Sequence, residues 1–343
     1  MKILVGMSGG VDSTYAALKL IDEGHTVEGA VLVMHEYTET DAAEIAAREI
    51  GLKLHTVDCK KTFESEVKEY FVNEYLHART PNPCIVCNRA VKFKYLIDYA
   101  RANGFDAVAT GHYAKIVKIT DNGEERFAVA MADDRKKDQS YMLARLSQDE
   151  LSMLILPLSE LTKGTIRKRA ETVGISSSGK RDSQEICFIP DNDYAAYVEG
   201  VSGKCPKGDF IDTAGNKLGE HSGIIRYTVG QRKGLGISLG ARAFVSAMSA
   251  ENNTVTLAAS PPMTKNVRID DIVFSGIQIP PAGASVRVSV KLRYAASPIS
   301  ASVIFLGDGT AEILLDEDAK SVTPGQAAVA YVGETVAFCG FIC

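Results

Sequence analysis

Two periods of apolar and polar positions take turns along the first third of the chain. Lys2–Met7 is a short apolar run ending in Ser8-Gly9-Gly10; from Val11 the spacing turns helical, with Ala17, Leu20 and Ile21 on one face and Gly24 as a stop. The exchange then repeats. Val27–Met34 reads as a second strand, and Asp41 with Glu44 as a capping box opening a helix that ends near Gly51. Lys53–Val57 is a third strand, Phe63–His77 and Arg89–Asn103 are helices, and Asp106–Thr110 is a fourth strand. Strands joined by helices return parallel, and such a sheet needs helices on both faces. Past about Asp191 helical periodicity fades and glycine and proline become frequent. Val286–Tyr294 alternates cleanly, Ser302–Phe305 and Glu312–Leu315 flank Gly307-Asp308-Gly309, and Ala327–Val332 and Thr335–Phe338 flank Gly333-Glu334. The pattern predicts an α/β domain over 1–191, a small glycine-rich and β-rich central domain over 192–262, and a C-terminal antiparallel β-barrel over 265–343.

Composition narrows the class. A chain of 343 residues exceeds one ordinary core, and 45% hydrophobic with 24% charged residues is the balance of a soluble globular protein. No apolar run nears the ~20 residues that span a bilayer. The start, Met1 to Gly6, lacks a secretory cleavage pattern, so the expected location is the cytoplasm. In that compartment the seven cysteines are expected to be thiols, ligands or catalysts rather than bridges. A net charge of −5 argues mildly against nucleic acid as a partner. Locally the balance reverses: Lys163, Arg167, Lys168, Arg169, Lys180 and Arg181 face Glu171 alone, which reads as a solvated helix face or as a binding patch.

Ser8-Gly9-Gly10-Val11-Asp12-Ser13 sits between a predicted strand and a predicted helix. Two glycines let the backbone approach a ligand and turn its N–H groups inward, and the helix N-terminus favours a phosphate. Ser8 and Ser13 offer hydroxyls, and Asp12 would hold a metal or orient a water. The loop is neither a Walker A loop, since it lacks Gly-Lys-Ser/Thr, nor G-x-G-x-x-G. The plainer alternative is a Gly-Gly turn with a serine cap. Met34 at the end of the second strand and Gly111-His112 after the fourth fall at the carboxyl edge of the sheet, where ligands of open parallel sheets bind.

Thr80-Pro81-Asn82-Pro83-Cys84-Ile85-Val86-Cys87-Asn88 is a proline-stiffened loop before a helix. A thiol near a helix N-terminus, with Arg89 and Lys92 nearby, is expected to have a lowered pKa. Cys187, in Asp182-Ser183-Gln184-Glu185-Ile186-Cys187-Phe188, is the third candidate. Structural zinc is disfavoured by the lack of a second C-x-x-C or H-x₃-H. A thioredoxin-like pair, inert buried thiols, and an iron–sulfur cluster on Cys84, Cys87 and Cys187 stay open.

The Ser8–Ser13 string resembles the PP-loop of ATP pyrophosphatases, enzymes that cleave ATP to AMP and pyrophosphate while adenylating a substrate. With Thr80–Asn88, Thr110–Tyr113, Lys137–Tyr141, Asp182–Phe188, Tyr227–Gly236, Arg293-Tyr294 and Pro324–Gln326, the chain resembles the tRNA-specific 2-thiouridylases over essentially its whole length. The resemblance implies an adenine nucleotide alpha-hydrolase-like, Rossmann-like catalytic domain that takes ATP with Mg²⁺. It implies nucleotide contacts from Gly6, Met7, Ser8, Gly9, Gly10, Val11, Asp12, Ser13, Met34 and Gly111. Cys87 would be the nucleophile and Cys187 would carry a persulfide received from a sulfur-donor protein, with a Cys87–Cys187 disulfide forming during transfer. Asn82, Pro83 and Cys84 would line the flipped-out wobble uridine. His112, Lys137, Asp138, Gln139, Arg293, Tyr294 and Gln326 would touch the tRNA. Two departures stand out: Cys84 replaces an Asp found in some members, and the segment after Met34 is short. The rivals are another PP-loop enzyme, such as a 4-thiouridine synthase, and a non-catalytic RNA-binding module.

Overall fold

The structure, a computed structural model, describes residues 1–179, 186–237, 240 and 242–343. The predicted βα exchange is present as a five-stranded parallel sheet in the order Leu54–Asp58, Thr26–Val33, Lys2–Gly6, Ala107–Ala109 and Leu154–Ile155. Side chains of a strand alternate between faces. Leu4 therefore joins Phe63, Phe71 and Phe93 in one layer, while Ile3 and Val5 join Ala17, Leu20, Ala43 and Ala47 in the other. The strand order reverses direction at Lys2–Gly6, so the loop after it opens at the topological switch point.

The chain then departs from the βα rhythm. Ala114–Asp121 and Glu124–Met131 form an antiparallel hairpin that the polar pattern does not announce, and Thr335 pairs with Ala130 to tie it to the last strand of the chain. That strand, Thr335–Ile342, belongs to a barrel of Met263–Phe274, Ala311–Lys320, Ile299–Phe305, Ser285–Lys291 and Ala327–Val332. Pairs such as Ile269 with Ile342 close it. Val267, Ile269, Val288, Val290, Val303, Ile313 and Leu315 fill its interior at alternate positions. The central region is a four-stranded sheet of Phe244–Ser249, Thr254–Ala258, Gly208–Ile211 and Lys217–His221. Its core residues Phe210, Val245 and Val255 run on into the core of the parallel sheet.

Two local expectations are corrected. Helix Thr40–Glu49 starts without a side-chain cap, so Asp41 and Glu44 form no capping box; that motif sits at Ser147 and Glu150. Past Asp191 helical structure continues, in Tyr194–Ser202 capped by the Asp193 side chain. Among the described residues no helix is long and apolar enough to cross a membrane.

Candidate active site

The loop after the first strand is braced by its own hydroxyls. The Ser8 N–H donates to Ser13 Oγ at 3.2 Å, and Ser13 Oγ donates to the Gly10 carbonyl at 3.0 Å. Gly9 has φ +73, and a Cβ there would lie 2.5 Å from the Ala42 carbonyl carbon, so no other residue fits. Gly10 opens helix Val11–Asp22 and no side chain caps its first N–H groups, which excludes the serine-cap alternative and leaves those donors for a ligand. Gly111 packs flush on this turn, since a Cβ would come within 2.7 Å of the Ser13 nitrogen. Gly6 ends the strand, the Met7 and Val11 side chains are buried in the core, and the Met7 N–H donates to the Ala30 carbonyl at 2.8 Å.

Asp12 departs from expectation. Its Oδ1 accepts from the Tyr113 hydroxyl at 2.6 Å and its Oδ2 from the Lys163 ammonium at 2.6 Å. Gln139 fixes Tyr113 in turn: its side-chain oxygen accepts from the Tyr113 N–H at 3.0 Å. Among the described residues no three carboxylates, imidazoles or thiols gather as a metal site. The charge paired with Asp12 in this structure is the Lys163 ammonium. In the sequence Lys163 belongs to a basic surface run, yet it is buried at the start of helix Lys163–Thr172, whose N-cap is Thr162. Of that run, Lys180 and Arg181, like Asp182 to Glu185 of the Cys187 motif, lie outside the described residues.

The second half of the site is the helix over 83–102. Asn82 caps it, accepting from the Ile85 N–H at 3.4 Å, and Pro83 occupies its first turn. Cys84 is exposed there and Cys87, one turn on, is buried. A π-helical stretch, Asn88–Phe93, comes next. Lys92 on this stretch acts on the charge of Cys87, Cys84 and Cys187, while Arg89 lines a cleft shared with Tyr70, Arg145 and Asp271. Phe188 is wedged at 5.6 Å from Phe63 and 5.4 Å from Phe71, anchoring the segment that carries exposed Cys187.

The expected thiolate is not there at rest. Burial pushes the Cys87 thiol up to about 12, against the opposing pull of Lys92, with Cys187 and Cys84 adding to the rise. Cys187, exposed as a residue, is raised as well, first by desolvation of its sulfur by the protein around it, and again Lys92 opposes. For Lys92 itself burial disfavours the charge, but Cys87, Cys84 and Cys187 outweigh it and the ammonium is held above its ordinary value. The helix N-terminus fails as a cause because Cys87 lies a full turn inside it. All three thiols are free, and among the described residues no three His, Cys, Asp or Glu side chains gather as a metal-holding group. Met34 joins the two halves: its sulfur lies 3.9 Å from Cys87 Sγ.

The residues expected to touch tRNA divide. Arg293 and Tyr294 are exposed on the barrel. Asp138 instead is buried and holds the Ala132 N–H at 2.9 Å and the Ser140 hydroxyl at 2.7 Å, while the Tyr294 hydroxyl donates to its carbonyl at 3.1 Å. Asp138 and Gln139 brace neighbouring backbone, with Gln139, like Lys137 beside it, half-buried. His112 accepts or donates at 2.8 Å with Thr110 Oγ1 and packs 5.6 Å from Phe93; burial, then the Lys92 charge, hold its imidazole down to about 3, so it is neutral. Gln326 points inward, to the carbonyls of Thr80 and Pro81.

Family models match the chain in three segments: a tRNA methyl transferase HUP domain over residues 1–191, a tRNA methyl transferase PRC-barrel domain over 196–259, and an aminomethyltransferase beta-barrel domain over 264–342. The chain is 40% identical to the tRNA-specific 2-thiouridylase MnmA of Acetivibrio thermocellus, across 99% of both chains. It is 39% identical to the protein of the same name from Treponema denticola, across 100% of this chain and 98% of the relative. A solved 4-thiouridine synthetase–RNA complex with bound ATP resembles 58% of this chain and 50% of its own at 22% identity and a TM-score of 0.36, too weak a likeness to bear on the chemistry.

Proposed function

The chain belongs to the tRNA-specific 2-thiouridylase family, and on that premise we propose that it uses ATP to adenylate the 2-oxygen of the wobble uridine of tRNA and replaces that oxygen with sulfur carried on Cys187. The observation that carries the mechanism is the contact between Met34 and Cys87: it brings the carboxyl edge of the sheet, where the nucleotide loop opens, against the buried thiol. The uncapped N–H groups of Val11–Asp22 receive phosphate oxygens, and Lys163, held by Asp12, supplies positive charge beside them.

The uridine 2-oxygen attacks the α-phosphorus of ATP and pyrophosphate leaves, which makes C2 electrophilic and its oxygen part of an AMP leaving group. In one route the terminal sulfur of a Cys187 persulfide attacks C2, AMP departs, and the Cys87 thiolate then attacks Cys187 Sγ. In the other, Cys87 attacks first and the released sulfide attacks C2. Either way a Cys87–Cys187 disulfide forms, C2 keeps the sulfur, and a thiol reductant from outside restores both cysteines. Lys92 supports the anionic sulfurs of these steps, and neutral His112 is suited to hydrogen bonding rather than to carrying charge. The base reaches the pocket of Asn82, Pro83 and Cys84 by flipping out of the anticodon stack.

Incubation of the protein with ATP, a tRNA transcript, sulfide and dithiothreitol, then nucleoside mass spectrometry, should yield 2-thiouridine. Formation of 4-thiouridine would move the assignment to the rival enzyme, and no ATP-to-AMP conversion would favour the RNA-binding module. With a persulfide donor protein in place of sulfide, Cys187→Ser should lose thiolation and keep pyrophosphate release; full activity of that variant would remove the persulfide role.

A further inference from the structure

Thr80 begins the loop that carries Asn82, Pro83, Cys84 and Cys87, and both other parts of the molecule hold it. Its N–H donates to the Pro324 carbonyl of the barrel at 2.9 Å, and its hydroxyl donates to Thr228 Oγ1 of the central region at 3.2 Å. Its carbonyl accepts from Gln326 Nε2 at 2.9 Å, and the same nitrogen reaches the Pro81 carbonyl at 3.2 Å. Both neighbours are acceptors, so the nitrogen must face them, and its two N–H groups are spent. The side-chain oxygen is what Gln326 has left to offer RNA.

The barrel end of this junction is stiff. Ile342 donates its N–H to the Gln326 carbonyl and accepts from the Gly325 N–H, each at 2.8 Å. Gly325 has φ +86, and a Cβ there would lie 3.0 Å from the Thr80 oxygen and 2.9 Å from Glu74 Oε2, so the turn sits against the loop with no spare room. On the other flank Arg79 is ion-paired with Glu74, and its N–H donates to the Glu74 carbonyl at 2.9 Å. Directly after Pro81 come the Asn82 cap and then the two thiols.

We propose that Gln326 is a positioning residue for the thiol helix: by pinning the carbonyls of Thr80 and Pro81 it lets the barrel set where Cys87 and the base pocket stand. The proposal rests on the proposed thiolation and goes beyond an RNA contact for this residue. The amide acts through the loop, so its loss should slow turnover rather than weaken RNA binding.

Two measurements on the full chain test it. Gln326→Ala should lower kcat for 2-thiouridine formation about ten-fold with the KM for tRNA changed less than about two-fold, the cost of a small misplacement of reacting groups. Gln326→Asn keeps the amide but withdraws it by one methylene and should do the same, which serves if the alanine variant folds poorly. Without ATP or RNA, iodoacetamide alkylation of Cys87, read by mass spectrometry, should be several-fold faster in either variant than in the wild type. A KM change larger than the kcat change, or unaltered alkylation of Cys87, overturns the proposal. Absence of 2-thiouridine from the wild type would instead sink the proposed reaction, and alkylation alone would then decide the role of Gln326.

Discussion

The nucleotide loop and the thiol loop serve one site but are built in opposite ways. The nucleotide loop is braced within residues 1–179, by Ser8, Ser13 and Gly10 and by the Gln139–Tyr113–Asp12–Lys163 chain, and it leaves its helix N–H groups open. The thiol loop is braced from outside, by Thr228, Pro324 and Gln326, and leads into the helix that carries buried Cys87. The difference assigns the two steps different needs. Binding a phosphate requires donors that are ready at rest, and backbone N–H groups are, because they are neutral and need no ionisation in order to donate. A thiolate is reactive and must be held back. With its thiol pushed up to about 12 by burial, Cys87 is almost wholly protonated at neutral pH. Resting Cys87 is therefore inert until substrate changes its surroundings, and those surroundings include the barrel.

The largest expected effect breaks the self-contained loop. Asp12→Ala releases Tyr113 and Lys163 together and should lower both pyrophosphate release and thiolation by roughly 10²–10³. If adenylation survived, the bracing of this loop would be irrelevant to it. Next is Lys92→Met, which removes the cation that acts on Cys87 and should cut sulfur transfer by about 10–10² while leaving pyrophosphate release intact. Loss of both steps would show that the two halves are not separable. The smallest effect is in pH dependence. Cys87 keeps its proton up to about 12 when folded and gives it up near 9 when unfolded, so its contribution to stability is complete below pH 9 and lost as pH rises toward 12. For His112, held down to about 3, the contribution is complete above pH 6.5 and lost as pH falls toward 3. The melting temperature should thus sag at both ends, and His112→Asn should flatten the acid side; an unchanged acid slope would mean that the imidazole is not buried neutral.

Much of this was legible in the chain. The strand–glycine–helix succession at Ser8–Ser13 names a phosphate-type loop because few other sequences place two glycines between those periods. The proline-bounded loop before a helix was legible too, with Pro83 in the first turn and Asn82 as its cap. Three things were not legible. Lys163 stands in a basic run, and nothing local says that this lysine is buried against Asp12. The state of Cys87 depends on what covers it, which is Phe63, Met34 and their neighbours from distant segments. Gln326 looks like a polar surface residue until the barrel closes and swings it onto Thr80, 246 residues away.

By itself, then, the order of residues determined the alternation of strands and helices, the loop that can take a phosphate, the thiols available for sulfur chemistry, and the family to which these belong, because each rests on contacts within a few residues or on strings that stay together. Tertiary structure alone decided which charges face which groups: Lys163 on Asp12, Lys92 beside the thiols, Gln326 on the thiol loop. Burial and ionisation depend on neighbours brought from far along the chain, and a π-helical turn or a closed barrel sets those neighbours in ways that no local pattern encodes.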